Sequence, residues 1–177
     1  MDVVDLGCGS GKLINEILPS RFMRRIIGVD VDGPALEVAS RDCTPGFGDY
    51  HFRRPHEFNV TLFKGSILDQ HHGLPFQPSC VTLIEVIEHV YEDQVPALAY
   101  TIFAHLNPET VFITTPNRDF NVHFPDPIKL RNDDHKYEWT RAEFAKFVGD
   151  VERLYGYTAE IKGVGTANGR ITNGYCT

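Results

Sequence analysis

Residues 5–11 read Asp5-Leu6-Gly7-Cys8-Gly9-Ser10-Gly11, a glycine-rich run at the junction of two patterns. It closes the apolar stretch VVDLG (3–7), which predicts a strand. It opens GKLINEIL (11–18), whose apolar residues recur at helical spacing until Pro19. Glycine at alternate positions permits close backbone approach and positive φ angles that a Cβ would penalise. Spacing excludes two familiar nucleotide-binding loops. A dinucleotide loop needs G-x-G-x-x-G, but the sixth position from Gly7 is Lys12 and from Gly9 is Ile14. A Walker loop needs G-K-[ST], but Leu13 follows Lys12.

Outward from the loop, short apolar runs alternate with helical patterns. RIIGVDVD (25–32) predicts a second strand with acids at its end, and PALEVASRD (34–42) a helix with Pro34 in its first turn. CTPGFGDYHFRRPH (43–56) is turn-rich and predicts a surface loop. FNVTLFKGSI (58–67) and CVTLIEV (80–86) predict the third and fourth strands. DQVPALAYTIFAHL (93–106) predicts a helix and TVFITTP (110–116) a fifth strand. A long polar connection (117–137) leads to TRAEFAKFVGDVERLYG (140–156), amphipathic and spaced at Thr140 and Glu143 as a capping box. YTAEIKGVG (157–165) predicts a further strand, and GYCT (174–177) part of another.

This order predicts the α/β class: a Rossmann-like, mostly parallel, doubly wound sheet with right-handed crossovers and an antiparallel C-terminal strand. We expect one domain over 1–177, truncated at both ends, since the chain opens inside a strand pattern and stops in one. Ligands of such sheets bind beyond the carboxyl ends of the strands. Asp5 with the glycine turn, Asp30, Ser66, Glu85, and Pro116 with Asn117 all fall there.

Composition narrows the function classes. No apolar run approaches the roughly 20 residues of a membrane span, so no membrane partner is expected. Cys8, Cys43, Cys80 and Cys176 are widely spaced without a CxxC pair. That pattern predicts free thiols in a reducing compartment, here the cytoplasm or nucleus. A net charge of −7 excludes a broad nucleic-acid sleeve. Local basic groups (Arg21, Arg24, Arg25; Arg53, Arg54; Lys129, Arg131; Lys136, Arg141) remain compatible with a small anionic footprint.

LIEVIEH (83–89) sets Glu85, Glu88 and His89 at the end of an apolar run. An unpaired buried polar group costs on the order of 2–7 kcal/mol, and a charge more. If the chain turns helical after the strand, spacings of three and four residues place these groups on one side, which suits metal ligands. His135 in DDHKYEWT (133–140) offers a fourth donor. Carboxylates favour Mg²⁺ or Mn²⁺, and two imidazoles shift the preference towards Mn²⁺, Fe²⁺ or Zn²⁺. A solvated helix start, where acids are favoured, is the alternative reading of the same residues.

The glycine loop and strand order resemble class I S-adenosylmethionine-dependent methyltransferases. That resemblance implies a loop backbone at Gly7, Gly9 and Gly11 lying against the methionine part of S-adenosyl-L-methionine, with Asp5 near its amino group. It also implies Asp30 on the ribose hydroxyls, Ser66 and Ile67 beside the adenine, and Glu85 at the end of the fourth strand beside the cofactor.

Over nearly its whole length the chain is similar to the Hua-enhancer type small-RNA 3′-terminal ribose 2′-O-methyltransferases. The likeness rests on DLGCGSGKL (5–13), GVDVD (28–32), IEVIEH (84–89), TTPNRDFN (114–121) and DHKYEWTRAEF (134–144). In that family E-x-x-E-H and the histidine of D-H-K-[FY]-E-W-T bind one divalent metal. The implied ligands and catalytic groups here are Glu85, Glu88, His89 and His135, holding one Mg²⁺ or Mn²⁺. Such a metal would chelate the vicinal 2′- and 3′-hydroxyls of the last nucleotide and acidify the 2′-hydroxyl for in-line attack on the methyl group.

The implied partner is the 3′ end of a small RNA, presented by an Argonaute or Piwi-type protein to a monomeric enzyme. Phe120, Phe124, Tyr137 and Trp139 could stack on terminal bases, although packing is expected for most of them. Asn117 and Arg118 could border the substrate. His71 and His72 are expected at the surface, His105 in helix packing, and Cys8 as a small loop residue rather than a nucleophile. Two other functions stay open: a small-molecule O-methyltransferase acting on a catechol-like diol, and a cofactor-binding scaffold without activity.

Overall fold

A computed structural model of the chain describes residues 1–43, 56–70, 74–124, 130–167 and 170–176, with side chains described to residue 164. Most of the expected 43–56 loop, with Arg53 and Arg54, lies outside the described residues, as do His71, His72, Lys129 and the Cys176 side chain. The chain clusters into two compact units, Met1–Leu83 with His105–Val111, and Ile84–Ala104 with Phe112–Thr177.

The first unit carries β1 (Asp2–Leu6), α1 (Lys12–Ile17), β2 (Arg25–Asp30), α2 (Gly33–Asp42), β3 (Asn59–Lys64) and most of β4 (Cys80–Ile84). Its strands lie in the order β3-β2-β1-β4, all parallel, with Val3 opposite both Ile26 and Cys80. Every residue of β1 is buried, as expected of a central parallel strand covered on both faces. The core beneath it joins Ile14 and Leu18 after the glycine loop, Leu36 and Ala39 of α2, and Ile26 of β2 with Cys8 and Cys43. Each fully buried Ile or Leu there stabilises the unit by about 1.5–3 kcal/mol. Asp32 caps α2 by accepting from the Ala35 N–H, and Arg24 and Arg25 both pair with Asp2 at the opposite end of the strands. The chain passes from β1 to β2 on one side and returns to β4 on the other. The loop after β1 therefore sits at the switch in strand order, where such folds bind ligands.

The second unit carries a 3₁₀ turn at Ile87–His89, α3 (Val95–Ala99), the end of β5 (Thr110–Thr114), a 3₁₀ segment at Arg118–His123, α4 (Arg141–Tyr155), β6 (Ile161–Ala167) and β7 (Arg170–Cys176). β7 pairs antiparallel with both β5 and β6. Helix α4 starts with the expected capping box between Thr140 and Glu143, ends at Gly156 with φ 75°, and buries Phe144 and Val151.

Several boundaries differ from the sequence reading: β6 starts at Ile161 rather than 157, and β3 ends at Lys64 rather than 67. β4 ends at Ile84 because Glu85 adopts φ 55°, its N–H taken by the Thr114 carbonyl and hydroxyl at 3.2 and 2.9 Å. The expected 93–106 helix is a 3₁₀ turn, then α3, then wide π-type turns over Tyr100–Leu106. Its buried stripe of Val95, Leu98, Ala99, Ile102, Phe103 and Leu106 keeps the helical spacing. Within the polar connection, Asn117 caps the 118–123 segment by accepting from the Asp119 N–H at 3.0 Å.

Candidate metal centre and cofactor loop

The glycine loop is held from two sides. The N–H groups of Gly7 and Cys8 both donate to the Val29 carbonyl, at 2.8 and 3.1 Å. The Gly9 N–H donates to Asp30 Oδ2 at 2.6 Å, while Asp30 Oδ1 accepts from the Asp32 N–H at 2.8 Å. Gly7, Gly9 and Gly11 take φ of 77°, 50° and 78°, where a side chain is strained. At Gly9 the space a Cβ would occupy is open, whereas at Gly11 it collides with the Cys43 thiol. The backbone is thus bare on the side of Gly9, and Asp30 keeps lone pairs for further donors. These features fit the adenosyl group that the loop pattern implies.

Asp5 lies behind the loop, 3% exposed, accepting from the Thr82 hydroxyl at 2.6 Å. Burial pushes its pKa up to about 6, with the Thr82 hydrogen bond opposing and the Asp30 charge assisting. Ser66 and Ile67 are half-buried after β3, the Ser66 hydroxyl accepting from the Leu68 N–H at 3.1 Å. Burial pushes the Cys8 thiol up to about 12, so it is no nucleophile at neutral pH.

In the second unit, the turn at Ile87–His89 and the segment around His135 bring three expected ligands together. One ligand atom each from Glu88, His89 and His135 lies within 4.8 Å of the others, and the two imidazoles meet edge-on with ring centroids 4.9 Å apart. Glu88 is fully buried. Its Oε2 accepts from the Thr115 hydroxyl at 3.1 Å, and its Oε1 has no partner. Burial first, then the charges of Glu85 and Glu138, push the Glu88 carboxyl up to about 8 against its local hydrogen bonds. His89 lies at the surface of the group; its partial desolvation and the neighbouring His135 lower its pKa, which favours the neutral form that offers a lone pair. An orphaned buried carboxylate oxygen beside two imidazoles is a donor set that fits a divalent cation. Glu85 is exposed and stands outside this convergent group.

The supports of this centre were not singled out by sequence reasoning. The Lys136 N–H donates to the Glu88 carbonyl at 2.8 Å, and the Tyr137 hydroxyl donates to the Ile87 carbonyl at 2.7 Å. Glu138, fully buried, meets His135 Nδ1 at 2.7 Å and also accepts from Asn121 and from the Arg131 N–H. Only the E of D-H-K-Y-E-W-T, three residues after His135, signalled it in the sequence.

Most of the aromatics pack. Tyr137 and Trp139 are buried and meet at a tilt with ring centroids 4.9 Å apart, Trp139 continuing to Phe147 at 5.2 Å. Phe124 is exposed beneath the Arg131 guanidinium. Arg118 is exposed and pairs with Glu143, and Asn117 is buried with its Nδ2 unpartnered. A cavity of about 530 Å³ lined by Val95, Trp139, Phe147 and Leu154 includes none of the expected metal or cofactor residues.

Residues 1–152 match the family described as "Methyltransferase domain". The chain is 36% identical over 176 residues to a "Small RNA 2'-O-methyltransferase" of Rattus norvegicus, covering 99% of this chain and 44% of the relative. It is 35% identical over 184 residues to a protein of the same description from Tetrahymena thermophila, covering 99% and 44%. The chain thus spans less than half the length of these curated relatives. Among solved structures, the small RNA methyltransferase HEN1 superposes with a TM-score of 0.81 at 29% identity, covering 99% of this chain and 23% of that one. The methyltransferase domain of bacterial CtHen1-C superposes with a TM-score of 0.76 at 33% identity, covering 99% and 88%. The chain therefore has the Rossmann-like methyltransferase fold and belongs to the methyltransferase domain family, in its Hua-enhancer type branch.

Proposed function

We propose that this domain transfers a methyl group from S-adenosyl-L-methionine to the 2′-hydroxyl of the 3′-terminal nucleotide of small RNAs, protecting that end. A divalent cation, Mg²⁺ or Mn²⁺, would be held by Glu88, His89 and His135; Glu85, exposed and outside that group, is the fourth ligand that the family resemblance implies. The observation that carries this reading is the unpartnered Oε1 of a fully buried glutamate beside two imidazoles. The description of the curated relatives supplies the substrate class.

When bound, the cation supplies positive charge that offsets the buried Glu88 carboxylate and acidifies hydroxyls brought to it. S-adenosyl-L-methionine, when bound, supplies the electrophilic methyl group. The chain's own residues do the positioning, which accounts for much of the rate in a displacement of this kind. The loop of Gly7, Gly9 and Gly11 offers bare backbone, and Asp30 offers acceptor lone pairs to ribose hydroxyls. Thr115 fixes one oxygen of Glu88 and thereby leaves the other for the cation. His89, whose pKa is lowered by partial desolvation and by the neighbouring His135, would add a lone pair.

His135→Ala tests the reading. The variant is expected to lose methyl transfer to a small RNA while binding S-adenosyl-L-methionine as the wild type does. Parallel loss of both would show that His135 serves the fold rather than the cation.

A further inference from the structure

We propose that Glu138 is a positioning residue of the cation centre: it keeps the proton of His135 on Nδ1 and so presents Nε2 as the ligand atom. The inference rests on the cation reading above and goes beyond it by assigning a tautomer and the group that sets it.

The donors around the Glu138 carboxylate fix the tautomer of His135. Glu138 Oε1 accepts from the Arg131 N–H at 2.6 Å and lies 2.7 Å from His135 Nδ1, and Oε2 accepts from Asn121 Nδ2 at 2.7 Å. The amide of Asn121 is oriented independently, because its Oδ1 accepts from Arg131 Nε at 2.9 Å. The Arg131 side chain is anchored in turn by the Asn117 carbonyl at 2.9 Å. Each fixed neighbour therefore points a donor at Glu138, which is the arrangement of an ionised carboxylate. Such a carboxylate only accepts, so the Nδ1 facing it must donate, and the lone pair falls on Nε2. A ligand histidine commonly has its second nitrogen held in this way, and loss of the holder typically weakens metal affinity about 10–100-fold. Glu138 is fully buried and is itself no member of the convergent ligand group, so its influence runs through His135.

Two readouts on the whole chain test this. In metal-free, ¹⁵N-histidine-labelled protein, the His135 ring signals, assigned by their absence in His135→Ala, should show the proton on Nδ1. A bare Nδ1 would overturn the proposal without any variant at Glu138. Mn²⁺ affinity is then compared among wild type, Glu138→Gln and Glu138→Leu, with S-adenosyl-L-methionine affinity as the check on folding. Glu138→Gln keeps an oxygen for Nδ1 and should retain the tautomer with a several-fold loss of Mn²⁺ affinity. Glu138→Leu removes the acceptor and should lose about 10–100-fold. Both variants binding Mn²⁺ as wild type does would overturn the role of Glu138 alone. A wild type that binds no Mn²⁺ would overturn the cation reading itself. If Glu138→Leu fails to fold, the Gln variant and the wild-type tautomer decide.

Discussion

The hydroxyl of Tyr137 donates to the main-chain carbonyl of Ile87 at 2.7 Å, bridging 50 residues of sequence. With the adjoining hydrogen bond from the Lys136 N–H to the Glu88 carbonyl, it clamps the turn bearing Glu88 and His89 to the segment bearing His135. The Ile87 carbonyl also accepts from the Val90 N–H at 3.2 Å, so Tyr137→Phe removes one of its two partners. The expected loss is about 1 kcal/mol of stability in urea unfolding. Mn²⁺ affinity should fall as well, while S-adenosyl-L-methionine affinity stays level.

Glu85 pays for its placement in backbone strain, with φ 55° at a residue that carries a Cβ. Left-handed backbone costs a non-glycine residue roughly 1–2 kcal/mol, more than the 0.5–1 kcal/mol that glycine loses in unfolded-state entropy. Glu85→Gly should therefore be more stable than Glu85→Ala, the reverse of the usual order. Thermal unfolding of the two metal-free variants checks this, and an Ala variant at least as stable as the Gly variant would refute it.

Two glycines of one loop should respond differently to the same substitution. A Cβ at Gly11 would collide with the Cys43 thiol and crowd Ala39, in addition to the strain of φ 78°. Gly11→Ala should cost on the order of 2–5 kcal/mol, the sum of overpacking and backbone strain. Gly9 has nothing within 4 Å of its Cβ position, so Gly9→Ala should cost only the roughly 1–2 kcal/mol of strain. Its larger effect should be on S-adenosyl-L-methionine affinity, measured by calorimetry, because the new methyl group stands in the open space beside the loop.

The pH dependence of stability carries the mark of Asp5. Its folded pKa of about 6 lies above the ordinary value of 3.8, so between these the folded state binds the extra proton. The contribution of this group is fully present below pH 3.8 and is lost as pH rises through 6. In the cofactor-free protein it amounts to on the order of 3 kcal/mol. Asp5→Asn should therefore lose less stability than wild type when unfolding is measured at pH 5 and again at pH 7. Parallel slopes in the two proteins would contradict this account.

The cofactor end of the fold was legible because local chemistry dictates it. Alternate glycines exclude the competing loops by spacing alone, and β1 to β4 follow as apolar runs broken by turn residues. Glu88, His89 and His135 were legible as a pattern, since acids and imidazoles at the end of an apolar run need a repayment. What surrounds them was not. Glu138 stands in the D-H-K-Y-E-W-T motif, but its role shows only when the fold brings Asn121, Arg131 and His135 onto its carboxylate. The early end of β4 was hidden for a similar reason, because the Thr114 partner that holds Glu85 lies 29 residues away in sequence. The wide turns of Tyr100–Leu106 leave the apolar spacing of a normal helix unchanged, so periodicity could not reveal them.

The central claim is that this centre acts on a ribose end carrying both hydroxyls. The direct measurement is methyl transfer from labelled S-adenosyl-L-methionine, with Mn²⁺ or Mg²⁺, to two small RNAs that differ only in the last nucleotide. Label is expected on the RNA ending in a 2′,3′-diol and none on the RNA ending in a 2′-deoxy sugar, with transfer abolished by a chelator. Label on the 2′-deoxy RNA, or undiminished transfer in the chelator, would contradict that claim.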